Sequence, residues 1–274
     1  MKKKLSPYSL FDVFTAVVTL IVVAFISAAI LSILIKGFPY LGEAFFSEEV
    51  RFAVKLSLYT ASISTFVCFV LAVPTAYSLT RGTFPFKKIA QIIIELPLSM
   101  PYLVLGLCLL LIFSSEFGKA LRDMGFRVVF DKNGIIMAQT IVNLPYMIRL
   151  IKTAFAEVDE RLEIIAGMLG ASRWKRFLTI TLPLARNAVI SAVILVWSRG
   201  LGEFGATLMV VGATRMKTET LPASIYLNMA TGDIGAAMAS AIIILLISFV
   251  SLFATSRLEG KNLQASRMKD VYWQ

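Results

Sequence analysis

Arg199 and Glu203, four residues apart in the apolar stretch VWSRGLGEFGAT, are the residues of this chain whose types and spacing could do chemistry. A charge at mid-bilayer costs about 3 kcal/mol on insertion scales, so neither can face lipid unpaired. On one continuous helix they would stand about 6 Å apart along the axis, within reach of a direct ion pair. An arginine moderated by a carboxylate could pass an anion without retaining it, because conduction needs sites weak enough to leave. Both readings, a structural pair and a lining of a route, fit the spacing. Gly200, Gly202 and Gly205 also satisfy GxGxxG, but no strand precedes them and the run is apolar, so the match does not indicate a dinucleotide site. Glu95, shortly after Lys87 and Lys88, reads as their interfacial partner or as a second lining group, and Ser99 and Thr207 complete the candidates for the route.

A second stretch, DERLEIIAGMLGASRWKRFLTITLP from Asp159 to Pro183, is too charged for a bilayer core and too patterned for a slack linker. A helix from about Glu160 to Leu169 puts Leu162, Ile165, Ala166 and Leu169 on one face and ends at Gly170, a natural helix stop. A following helix can use Ser172 as its cap. Two short helices joined at a glycine make a stiff knob.

The elements that must position these residues are set by composition. Hydrophobic residues make up 58% of the 274 and charged ones 16%, with mean hydropathy +0.80, which describes an integral membrane protein. A net charge of +10 suggests nucleic acid in a soluble chain; in one this apolar it belongs at cytoplasmic helix ends, so no nucleic-acid partner is expected. His is absent and Cys68 and Cys108 lie inside apolar runs, so neither a disulfide framework nor a Cys/His metal site is expected. No GxxxxGK[ST] or nucleophile elbow occurs, so the chain is expected to bind no nucleotide or cofactor and not to be an enzyme by itself.

The fold class expected is an all-α integral membrane protein, a single transmembrane domain over 1–274. Six apolar segments are long enough to cross: Phe11 to Ile35, Ala53 to Leu79, Ile89 to Phe113, Gly134 to Ile151, Asn187 to Val211 and Ala236 to Ala254. The first, behind MKKK, is too long for a signal-peptide core and reads as a retained anchor helix. With the amino terminus inside, seventeen Lys and Arg, among them Lys2, Lys3, Lys4, Lys261, Arg267 and Lys269, fall on inner segments and nine on outer ones. Both termini and the Asp159–Pro183 knob are therefore expected in the cytoplasm. Pro74, Pro97 and Pro101 predict kinks. Of the outer loops, Ser114 to Asn133 predicts a short surface helix, and the long third loop could re-enter the membrane or face a soluble partner.

Gly170-Ala171-Ser172, followed ten residues after the glycine by Ile180 and then by Leu182-Pro183, resembles the cytoplasmic signature loop of ATP-binding-cassette (ABC) importer permeases. That family places Glu-Ala-Ala beginning six residues before the glycine; here those positions read Ile164-Ile165-Ala166, with the nearest carboxylate, Glu163, one residue early. The runs PTAYSLTR at Pro74, LPLSMPYLVLG at Leu96, NLPYMIRLIKTAF at Asn143, LGEFGAT at Leu201 and TLPASIY at Thr220 resemble the molybdate, tungstate and sulfate branch, with coverage from about Ser57 to Ala254.

The resemblance implies a type I importer permease in a prokaryotic inner membrane, pairing with a second copy of itself. Two ATPase subunits, carrying ATP and Mg, would grip the loop at about 157–183 through Asp159, Glu163, Ile165, Ala166, Leu169, Gly170, Ala171, Ser172, Leu182 and Pro183. An external binding protein would deliver the oxyanion, with Arg215 and Lys217 as candidate rim charges. Molybdate or tungstate is the expected cargo, with sulfate or thiosulfate as the alternative. An ion-coupled secondary anion transporter could also use six spans and an intramembrane Arg/Glu pair, but would need no knob. A membrane scaffold fits the charged mid-span poorly.

Overall fold

A computed structural model describes residues 9–272, with side chains through Arg257 apart from Phe45. Lys2, Lys3 and Lys4 lie outside the described residues, as do the side chains of Lys261, Arg267 and Lys269. Among the described residues all regular structure is helical: α1 (Leu10–Gly37), α2 (Leu41–Phe46), α3 (Glu48–Arg81), α4 (Lys87–Glu95), α5 (Tyr102–Ser114), α6 (Glu116–Asp123), α7 (Lys132–Ala156), α8 (Glu160–Met168), α9 (Arg173–Arg176), α10 (Leu182–Leu201), α11 (Gly205–Val211), α12 (Leu221–Ala230) and α13 (Ile234–Tyr272). Five helical stretches are long and apolar enough to cross a membrane, or up to six if one bent pair counts as a single span.

Several helices start where polar side chains take up the free N–H groups. Ser9 accepts from Phe11 N–H while its own N–H donates to Asp12, closing a capping box at α1. Ser47 caps α3, and Asp131 caps α7 through Asn133 N–H. Pro74 is absorbed within α3 without breaking it.

The centre of the bundle is α3 against α7. Cys68, Ala72 and Ala76 of α3 meet Met147, Ile151 and Phe155 of α7 and Ala185, Val189 and Val196 of α10. Alanines at the contact let the backbones approach closely, which is how helices gain packing energy where lipid is as apolar as leucine. A second cluster joins Leu105 and Leu109 of α5 to Ile135, Ala138 and Val142 of α7 and to Ala206 and Val210 of α11. No residue in the membrane-length window of α1 is buried, and the helix touches the bundle mainly along α13.

Two expected spans are interrupted. The segment expected as one helix from Ile89 to Phe113 is α4, a 3-10 turn at Leu96–Ser99 and α5, bent by 112°. Pro97 and Pro101 lack N–H donors and Met100 between them is extended, so the helix cannot continue. The segment expected from Asn187 to Val211 ends as a helix at Leu201 and restarts at Gly205. At its N-terminal end α10 is preceded by a π-helical turn, Phe177–Thr181, that joins it to α9. Of the loops expected on the outer side, the second carries the expected short helix, α6, and the third folds into α12. That loop is tied back to α3 by Leu221 N–H donating to Ser57 Oγ at 2.8 Å.

Candidate functional site

The two interruptions meet. A Cβ on Gly106 of α5 would lie 2.6 Å from the Ala206 carbonyl oxygen and 2.8 Å from the Ala206 Cα, so this glycine is what allows α5 and α11 to touch backbone to backbone. A Cβ on Gly205 would lie 3.2 Å from the Tyr102 Cβ, a looser approach that still sets the starts of the two helices at the same level. Interrupting α10 frees carbonyls, which apolar surroundings would penalise. Gln139 of α7 answers one of them: its Nε2 donates to Gly200 O at 2.9 Å and contacts Thr60, while its Oε1 accepts from Ser64.

Arg199 sits in the last turn of α10. Its guanidinium donates to the Tyr102 hydroxyl and lies over the Tyr146 ring, 4.9 Å from the centroid, and over the Tyr102 ring at 5.6 Å. Aromatic faces thus take the place of a counter-charge. The expected direct ion pair with Glu203 is absent among the described residues, because Gly202 ends the helix between them and the four-residue helical step no longer applies. Glu203 is buried and turns its Oε1 to Ala206 N–H at the start of α11, at 2.7 Å. Its Oε2, Arg199 Nε, Thr207 Oγ1 and both amide atoms of Asn143 are buried without partners. Five polar atoms of that kind around one break leave hydrogen-bonding capacity unspent there, which buried polar groups rarely do. Tyr102, Tyr146, Gln139 and Asn143 escaped the sequence reading; the signal available was two amides four residues apart in an apolar span.

The other expected lining residues separate from this cluster. Ser99 is exposed at the end of the 3-10 turn. Glu95 does not pair with Lys87 or Lys88: it accepts from Gln91 at 3.0 Å and stands 3.9 Å from Lys152 of α7, while Lys87 donates to Gly82 O.

The knob forms as two short helices. Asp159 caps α8 by accepting from Arg161 N–H, and Ser172 caps α9 through Lys175 N–H. Between them Gly170 takes φ +86°, and the bonds Ala171 N to Ala166 O and Gly170 N to Gly167 O close a Schellman turn. Ile165 and Leu169 are exposed, joined by Ile164, Met168 and Trp174, while Ala166 and Ala171 are half-buried behind them. Leu182 and Pro183 open α10 at the root of the knob.

Glu163 points the other way, with 5% exposure. Its Oε1 accepts from Thr181 Oγ1 at 2.6 Å and Arg81 Nε at 3.1 Å, and its Oε2 from the Tyr77 hydroxyl at 2.9 Å. Arg81, at the end of α3, also donates to Phe155 O and Val158 O. Burial pushes the Glu163 carboxyl up, but the hydrogen bonds from Thr181, Tyr77 and Arg81 and the Arg81 charge outweigh it and hold the group below the ordinary glutamate range. On the opposite side of the bundle, Arg215 is tied to Glu49 at 2.5 Å, to Asn228 at 2.8 Å and to the fully buried Glu219 at 3.4 Å, so of the two candidate rim charges Lys217 is the exposed one.

Residues 71–262, from the middle of α3 through the knob and the break, match the family described as binding-protein-dependent transport system inner membrane component. The chain is 37% identical over 207 residues to the molybdenum transport system permease protein ModB of Escherichia coli K12, covering 72% of this chain and 90% of that protein. It is 31% identical over 215 residues to the molybdate/tungstate transport system permease protein WtpB of Methanocaldococcus jannaschii, covering 78% and 83%. The sulfate transport system permease protein CysT of Escherichia coli K12 is 29% identical over 246 residues, 89% of each. Among solved structures, a bacterial alginate ABC transporter in complex with its alginate-bound periplasmic protein superposes with TM-score 0.69 at 16% identity, over 90% of this chain and 93% of that one.

Proposed function

Because this chain belongs to the family of binding-protein-dependent transport system inner membrane components, we propose that it is the membrane-spanning permease subunit of an ATP-driven importer of molybdate and tungstate. It is a transport subunit and not a catalytic one. In this reading two copies enclose the route and both termini lie in the cytoplasm. Two ATPase subunits, which hold ATP and Mg, seat the exposed Ile164, Ile165, Met168, Leu169 and Trp174 face of the knob. An external binding protein presents the oxyanion at the other side.

The observation that carries the reading is the knob: an apolar face exposed on a segment too charged for a bilayer core, on a support fixed to α3 and α7 by the Glu163 and Arg81 bonds. Such a patch on a short polar segment is a docking surface, and its stiffness lets it move as a body. Arg199, held between two tyrosines beside unpaired polar atoms, supplies the positive element of an anion route.

The test is reconstitution. The chain, an ATPase subunit and an oxyanion-binding protein from the same genome are purified together into vesicles, and uptake of molybdate, tungstate and sulfate is followed with and without ATP. ATP-dependent molybdate and tungstate uptake that sulfate does not inhibit is the expected result. Sulfate uptake of equal efficiency would move the chain to the sulfate branch, which the similarity to CysT supports. Uptake driven by an ion gradient without ATP would refute the importer reading.

A further inference from the structure

A cavity of about 540 Å³ lies between α7 and α10, on the knob side of Arg199. Its far end is Tyr146, the same ring that carries Arg199 on its face. Three residues along α7, about 4.5 Å nearer the knob, Arg149 lines the cavity, exposed, with no carboxylate partner among the described residues. The neighbouring lysine on that helix differs, since Lys152 is turned to Glu95.

Across the cavity stands Ser191 of α10, buried, with its Oγ unpartnered. A hydroxyl inside a helix ordinarily donates to the carbonyl four residues back, as Thr75, Thr80, Thr140 and Ser251 do here. Ser191 leaves that bond unmade in the wall of a cavity that also holds a guanidinium without a carboxylate partner, and a χ1 rotation would turn its hydroxyl into that space. Glu157, eight residues or about 12 Å beyond Arg149, lines the knob end of the same space.

We propose that this cavity is a second anion station, in which a tetrahedral oxyanion leaving Arg199 is held between the Arg149 guanidinium and the Ser191 hydroxyl. The proposal rests on the oxyanion-importer reading. A single arginine that captures a dianion also slows its departure; a second cation one short step along the route offers a site of comparable depth, so that neither holds the ion long. The Glu157 carboxylate in the same lining weakens the hold on the anion, so that the station does not trap it.

The experiment uses the assembled importer in lipid nanodiscs, with Cys68 and Cys108 replaced by alanine and Ala188→Cys placed in the cavity lining. The new thiol is reacted with anionic and cationic methanethiosulfonates, with and without tungstate. Arg149 is expected to favour the anionic reagent, tungstate to slow that reaction, and Arg149→Gln to lose the preference by about fivefold, as one nearby unit charge predicts, and to lose the tungstate protection. Arg149→Lys should restore the preference. Should Arg149→Gln fail to assemble, Ser191→Ala serves instead: protection weakened about fivefold supports the station, and unchanged protection overturns it. ATP-dependent oxyanion uptake by the same importer in sealed vesicles, without any tungstate protection at residue 188 in nanodiscs, overturns the station and leaves the transport reading standing, whereas absence of uptake in the vesicles overturns the transport reading itself.

Discussion

Replacing Glu163 should free the knob from the bundle in graded steps. Glu163→Ala removes three hydrogen bonds and leaves Arg81, whose side chain is 12% exposed, without its main carboxylate. Stranding one partner of a buried pair costs 3–5 kcal/mol. Arg81 keeps Phe155 O, Val158 O and a more distant contact with Glu160, so the lower end applies, about 3 kcal/mol. Glu163→Gln keeps the shape. Its amide oxygen can face Thr181 and Arg81 and its NH2 can donate to the Tyr77 hydroxyl, so only the charge assistance is lost, about 1.5 kcal/mol. Trypsin reads the difference, since Arg161, Arg173 and Lys175 are exposed on the knob and cleavage of an opened segment tracks its equilibrium population. Knob cleavage should rise about 100-fold in the Ala variant and about tenfold in the Gln variant, with uptake per ATP hydrolysed falling in the same order. The sign with pH follows from the depressed carboxyl: its contribution is complete above the pKa of the released knob and is lost only as pH falls through the lower value of the clasped one. Mild acidification should therefore leave wild-type cleavage unchanged. Equal cleavage and equal coupling in wild type and both variants would refute the reasoning.

Arg199→Met should assemble normally and lower oxyanion uptake about tenfold or more, the value of a hydrogen bond to a charged group; Arg199→Lys should recover only part, because it lacks the flat face that lies on Tyr102 and Tyr146. Gly106→Ala sets a Cβ against the Ala206 backbone, which cannot yield as a side chain could, and should destabilise the purified protein by about 1–3 kcal/mol, seen as a lowered melting temperature. Arg215→Ala leaves Glu219 buried and unpaired at a cost of about 3 kcal/mol. It should speed tryptic cleavage after Lys217, and adding Glu219→Gln should slow it again.

The spans that could be read from sequence are those whose helices run through. Phe11 to Ile35 and Gly134 to Ile151 lie inside α1 and α7, because an uninterrupted apolar run needs no tertiary information to be a helix in lipid. The third and fifth misled for opposite reasons. Pro97 and Pro101 were visible, but a proline is compatible with a mild kink or a full reversal, and the 112° bend depends on α5 finding α11. Gly202 gave little warning, and the four-residue spacing of Arg199 and Glu203 invited a helical pairing that the break removes. The knob was legible because its caps, Asp159 and Ser172, and its stop, Gly170, are local. The inward turn of Glu163 was not, since its partners Tyr77 and Arg81 are more than eighty residues away in the chain.

The breaks at Pro101 and Gly202 lie side by side, and Gly106 rivets the two half-helices beyond them to one another. Helical structure runs from Arg173 to Leu201, but no helix carries the same segment on to Val211. The bundle is therefore jointed on one side only: the rod that begins at Arg173 ends within a turn of Arg199, while α3 and α7 pass the joint unbroken. A shift of the knob would consequently be felt at Arg215 along α3, whose ends hold Arg81 and Glu49, but at α11 only through its packing on α5 and α7.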